Sequence, residues 1–137
     1  ELFSVPANVH IIGMMNTADR SLAMLDYALR RRFAFVELRP AFDSEGFRRH
    51  AAALDSAQFE AVVCEVVALN KEIAEDESLG DGFCIGHSYF CIDPKEYTDA
   101  ALASIVEYEL IPMLKEYWFD EPGKVREWAD RLRRPLR

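Results

Sequence analysis

Residues 8–15, NVHIIGMM, are β-branched and apolar with almost no polar interruption. That is the pattern of a strand buried on both faces, as in a parallel sheet covered by helices. A polar turn, NTADRS, follows, in which Asp19 or Ser21 can cap the next helix. In SLAMLDYALRRR, Leu22, Leu25, Ala28 and Leu29 recur at spacings of three and four, which predicts a helix with one apolar face. FAFVELRP then sets Phe33, Phe35 and Glu37 against Ala34, Val36 and Leu38, a short strand ended by Pro40. Strand, turn, helix and strand make one α/β unit, which needs further strands beside it to cover its faces.

Beyond Pro40 the period is helical throughout. FDSEGFRRHAAALD predicts a helix with Asp43 or Ser44 near its cap. SAQFEAVVCEVVALNKEIAED predicts a stronger one, with Phe59, Val62, Val63, Val66, Val67, Asn70 and Ile73 on one broad face. SLGDGFCIGHSYF is punctuated by Gly80, Gly82 and Gly86 and reads as a loop or small hairpin. Asp93-Pro94 reads as a cap and first-turn proline for a long helix carrying Leu102, Ile105, Val106, Leu110, Met113, Leu114 and Tyr117, with a kink expected at Pro112. EPGKVREWADRLRR predicts a last, shorter helix. Trp118 and Phe119 are expected to close the helical core near Trp128, with an aromatic patch for a neighbouring subunit or partner as the alternative. The expected organisation is an α/β remnant over residues 1–39 and an all-α piece over 40–137, mainly α overall.

The chain has 137 residues, half of them hydrophobic, enough for a real core. Its net charge of −8 is unevenly spread. Residues 1–40 hold Arg20, Arg30, Arg31, Arg32 and Arg39 against Glu1, Asp19, Asp26 and Glu37, a net of +1, which leaves −9 for the remainder. An acidic helical piece makes a poor nucleic-acid surface in itself. No stretch approaches the roughly 18 apolar residues of a membrane span. The opening ELFSVPANVHIIGMMN lacks a basic start and does not read as a signal peptide; it reads as a chain entered midway. Cys64, Cys84 and Cys91 lack CxxC spacing, so neither zinc nor a disulfide framework is expected, and a cytoplasmic setting fits.

Two features carry chemistry. Asn16 and Asp19 stand where the first strand would end, at the carboxyl edge at which open α/β sheets bind ligands. Asn16 can orient a water against a phosphate with Asp19 in support; equally, the pair can satisfy a tight turn and cap a helix. The arginine run Arg30, Arg31, Arg32 can be a solvated helix end facing the dipole. Three in succession point about 100° apart, so at least one sits near the domain edge and can reach a neighbour's phosphate as an arginine finger.

NVHIIGMMNTADRSLAMLDYALRRRFAF resembles the AAA+ NTPase segment running from the sensor 1 strand to the arginine-finger helix. More narrowly, MNTADRS with LDYALRRRF is similar to the McrB family, the GTP-hydrolysing motor of a modified-cytosine restriction system, and IGHSYF and IPMLKEYWFD resemble that family's lid. The resemblance covers residues 8 to about 120. It implies a sensor 1 role for Asn16 and a supporting one for Asp19 and Arg20. It implies that Arg31 and Arg32, ahead of Arg30, act as finger or helper on the adjacent subunit's nucleotide. His87, Ser88 and Tyr89 would line the nucleotide's base or phosphates, although His87 in a turn can also be satisfied by backbone groups. Phe90 stands where many AAA+ lids carry a sensor 2 arginine, so that role is absent here or filled differently.

The resemblance further implies GTP or ATP with Mg²⁺ in the intact parent, a ring (a hexamer) of identical subunits, a McrC-like endonuclease partner, and DNA reached through the whole complex. No G-x-x-x-x-G-K-[ST] and no strand ending in paired acids occurs here. The chain alone is therefore expected to be inactive and to bind nucleotide weakly at most. The alternatives are a non-catalytic helical interaction module, with the arginines docking an acidic partner, or an ATP-using AAA+ remodelling protein outside restriction.

Overall fold

The structure, a computed structural model, describes residues 4–15 and 27–137. The chain divides into two compact units, Glu1–Val36 and Glu37–Arg137. In the first, the described residues hold one helical turn, α1 (Tyr27–Arg30), followed by a turn over 31–33. No strand forms among the described residues. Residues 8–15 and 33–38 lie irregular, and their apolar side chains face solvent: Ile12 is 92% exposed, Met14 97% and Leu38 90%. A strand exists only as one side of a ladder, and these two segments have no ladder partner here.

The second unit is helical. Its axis is α3 (Ala57–Glu75), whose buried Phe59, Val62, Val66, Leu69 and Ile73 alternate spacings of three and four along one stripe. Burying each of these side chains contributes about 1.5–3 kcal/mol, so α3 alone anchors the core. Ahead of it, α2 (Glu45–Leu54) is capped by Ser44, whose Oγ accepts from Phe47 N–H at 3.2 Å. Ser56 caps α3 in the same way through Phe59 N–H. α3 ends as Gly80, at φ +86°, brings its N–H back to the Ile73 carbonyl at 3.1 Å. That backbone conformation needs glycine.

The glycine-punctuated stretch that follows forms two 3₁₀ turns, Asp81–Phe83 and His87–Phe90, and no hairpin. Asp93-Pro94 does not begin the next helix. Asp93 instead closes a separate turn, its carboxylate accepting from Lys95 N–H and its carbonyl from Glu96 and Tyr97. The helix starts later as α4 (Asp99–Ile105), capped by Thr98.

α4 runs into a π turn (Val106–Leu110) and then α5 (Ile111–Tyr117). The disturbance expected at Pro112 takes this form. Proline has no N–H for the carbonyl four residues back and crowds it, and the ladder opens by one residue just upstream. Ile111 N–H accordingly donates to Val106, five residues back. The opening also aligns the core. Eight residues from Val106 to Leu114 would overshoot one face by about 80° in an unbroken α-helix; with one residue absorbed the mismatch falls to about 20°. Leu102, Val106, Leu110, Ile111, Leu114 and Trp118 are all buried. Phe119, expected in the core beside Trp118, is 81% exposed. α6 (Pro122–Arg133) packs back on α3 and closes the unit with Val125, Trp128, Ala129 and Leu132. No helix among the described residues is long and apolar enough to cross a membrane.

Candidate functional site

Of the residues singled out from sequence, Asn16, Asp19 and Arg20 lie outside the described residues. Arg30 ends α1, and Arg31 and Arg32 occupy the turn after it; all three are exposed. His87, Ser88 and Tyr89 are brought together in the 3₁₀ turn of the helical unit, with Ser88 exposed and His87 and Tyr89 half-buried.

That turn is held from several sides. Phe90, its last residue, is fully buried, and its carbonyl meets His50 Nε2 of α2 at 3.1 Å. Just upstream, Asn70 of α3 grips the backbone of Ile85 twice: Nδ2 donates to the Ile85 carbonyl at 2.9 Å and Oδ1 accepts from Ile85 N–H at 2.7 Å. Sequence periodicity places Asn70 on the buried face of α3 but gives it no task. The task is to pair a strand-like backbone with a side-chain amide where no strand is available. An amide inside an otherwise aliphatic stripe is the signal that could have found it.

His87 is fixed as well. Its Nδ1 accepts from Ala41 N–H at 3.0 Å, and its ring stands edge-on to Phe42 and Phe47 at centroid distances of 6.2 and 6.0 Å. Because Nδ1 is the acceptor, the neutral ring carries its proton on Nε2. Phe42 also packs on Phe90 at 6.0 Å. The start of the helical unit is thus tied to the His87–Phe90 turn by one hydrogen bond and a cluster of rings.

Beside this start lies an open groove of about 430 Å³, with Pro40, Phe42, Val67 and Ala74 among its apolar walls and Arg39 and Lys71 among its polar ones. Arg39 pairs with Glu37 at 3.0 Å, both side chains largely exposed. Cys84, also on the groove, donates weakly to the Asn70 carbonyl, and burial first and Asp81 second push its thiol upward, away from the reactive thiolate. Among the described residues no three His, Cys, Asp or Glu side chains converge as a metal site would require.

Comparison with known proteins adds two findings. Residues 63–126 match the family described as McrB, alpha-helical lid domain. That span runs from within α3 to the first turn of α6 and includes Asn70, both 3₁₀ turns and the π turn. The chain is also similar to the Type IV methyl-directed restriction enzyme EcoKMcrB subunit of Escherichia coli (strain K12), 45% identical over 138 residues. That alignment covers 96% of this chain and 30% of the relative, so the chain spans less than a third of that protein's length.

Proposed function

We propose, from the premise that this chain is McrB-like and carries an McrB-type α-helical lid, that it supplies the lid and the adjoining edge of the NTPase core in a motor subunit of a McrBC-type restriction system. The observation that carries the reading is the lid match over residues 63–126 within a 45% identical alignment spanning 96% of the chain. On this reading residues 1–39 belong to the nucleotide-binding core and 40–137 to the lid. The solvent-facing apolar side chains of residues 9–15 and 33–38 support the first assignment, since a parallel sheet buries such runs on both faces.

The intact subunit would bind GTP or ATP with Mg²⁺ between neighbours in a ring, a hexamer of identical subunits. Asn16, supported by Asp19, would place the attacking water, while Arg31 and Arg32 would stabilise charge on the next subunit's transferring phosphate. Ser88 and Tyr89 would meet the nucleotide from the lid, with His87, expected beside them, held through Nδ1 by Ala41 N–H. Hydrolysis would drive movement on DNA and cleavage by a McrC-like endonuclease. The acidic balance of the chain beyond residue 40 argues that the lid itself does not hold the DNA.

The test is Arg31→Ala and Arg32→Ala in the longer polypeptide that carries the nucleotide site. Loss of hydrolysis by about a thousandfold or more, with nucleotide binding retained, is the expected result for a finger. Unchanged hydrolysis with loss of a protein partner would favour an arginine docking patch instead. The 137-residue chain alone should show no saturable binding of a fluorescent nucleotide in the micromolar range.

A further inference from the structure

The helical unit begins at Glu37, yet the first backbone group tied into it from a distance is Ala41 N–H, held by a side chain 46 residues away in sequence. Residues 37–40 before it make no backbone hydrogen bond to the helices among the described residues, although Arg39 and Pro40 line the groove beside α3, and the Arg39–Glu37 pair within them is exposed. The unit boundary and this tether therefore bracket a four-residue hinge, 37–40, whose far end, at Ala41, is fixed by His87. Past that point Phe42 is wedged among Phe47, His87 and Phe90. The same ring has a second nitrogen, and Nε2–H has no hydrogen-bond partner among the described residues. One imidazole thus holds the linker with one nitrogen and leaves the other for an acceptor. Its neighbours Ser88 and Tyr89 belong to the turn that the nucleotide would meet.

We propose that His87 is a positioning residue: it latches the end of the linker to the His87–Phe90 turn, so that a load on the turn is transmitted to the hinge. A ring clamped by Phe42 and Phe47 cannot tilt toward an acceptor at Nε2 without displacing Ala41. The latch is a local property of this chain. Only its consequence for hydrolysis rests on the motor reading above.

In the ¹⁵N-labelled chain, a scalar coupling across the Ala41 N–H···Nδ1 bond should be resolved by NMR. A protonated Nδ1 with no such coupling would overturn the latch. His87→Phe keeps an aromatic ring but removes the acceptor; hydrogen exchange at Ala41 should accelerate roughly three- to tenfold, the range one net hydrogen bond supports. Exchange within α3 should not change. His87→Asn, whose carbonyl oxygen replaces Nδ1, should restore protection. Unchanged exchange at Ala41 in the phenylalanine variant, or equal acceleration of Ala41 and α3 in both variants, would reduce His87 to a packing residue and refute the proposal. In the longer polypeptide, His87→Phe should lower kcat by a similar factor with KM nearly constant, and His87→Asn should recover it. A raised KM at constant kcat would make His87 a nucleotide contact and overturn the latch. If the wild-type polypeptide hydrolyses no NTP, the motor reading fails, and the NMR coupling still decides the latch.

Discussion

Asp76, at the C-cap of α3, shows how much one side chain can organise. Its Oδ1 accepts from Ser78 Oγ at 2.6 Å and Ser78 N–H at 2.9 Å, and its Oδ2 accepts from Trp118 Nε1 at 2.8 Å and Lys124 Nζ at 3.2 Å. The Ser78 hydroxyl first, then the Trp118 indole and the Ser78 amide, hold this carboxyl well below the usual carboxylate range. The folded-state value is depressed, so the linked stability is fully present above the unfolded value, about pH 4, and is lost as pH falls toward the folded value. Glu107, lowered by the two-pronged hydrogen bond from Arg133, acts in the same direction. Asp76→Asn keeps an acceptor for Ser78 but turns an amide donor toward Trp118 and Lys124. It should cost about 1–3 kcal/mol near neutral pH. Urea unfolding should also show a flatter loss of stability below about pH 4 than in the wild type. An unchanged acid slope would show that Asp76 is not the group responsible.

At the scale of elements, α3 and α6 meet along a seam in which carboxylates face indoles and cations. Glu65 pairs with Arg131 at 2.7 Å, Glu72 accepts from Trp128 Nε1 at 3.0 Å, and Lys124 reaches both Glu72 and Asp76. The pairs descend in α6 as they ascend in α3, so the helices run antiparallel. Lys124 lies over the Trp118 ring at 4.2 Å and Arg131 over that of Trp128 at 3.8 Å. These ion pairs are partly exposed and should contribute at most about 1 kcal/mol each, whereas truncating a buried tryptophan costs about 3–5 kcal/mol. Glu65→Gln is therefore expected to shift the unfolding midpoint slightly and Trp118→Ala to approach loss of the fold, both read by denaturant titration. Comparable costs would make the seam ionic rather than apolar. Much of this was legible in sequence. The stripe of α3 follows from local period, and Ser44, one of the two residues offered as the cap of α2, from local chemistry; Ser56 caps α3 although no cap is expected there from sequence. Phe119 was not legible, because periodicity cannot say where a helix stops, and the helix ends at Tyr117. Thr98 displaced Asp93 as the cap although both suit the role locally. Tyr97 decides between them by reaching Ser56 at 2.8 Å and the Phe59 ring at 5.9 Å, a tertiary choice. The Ala41–His87 bond spans too much sequence for any local pattern to reveal.

For the molecule as a whole, every buried residue among the described ones lies between Phe47 and Leu132, inside the helical unit. That core lies within residues 47–132, so deleting residues 1–36 removes no buried side chain that the structure describes. The deletion does remove the exposed apolar run of residues 9–15 and much of the second, over 33–38. These runs carry the β-branched and aromatic composition of a sheet interior, and unpaired strand-like segments of that kind recruit one another when no partner covers them. Two outcomes follow from this imbalance. Residues 37–137 alone should unfold cooperatively with a midpoint close to that of the full chain, and should sediment as a monomer. The 137-residue chain should self-associate with rising concentration, and replacing Ile12 and Met14 with polar residues should reduce that association without moving the unfolding midpoint. If the shorter piece fails to fold, the first unit contributes to the core after all. If the full chain stays monomeric at high concentration, its apolar runs are covered within the chain, and they lose their value as support for a sheet completed by further strands.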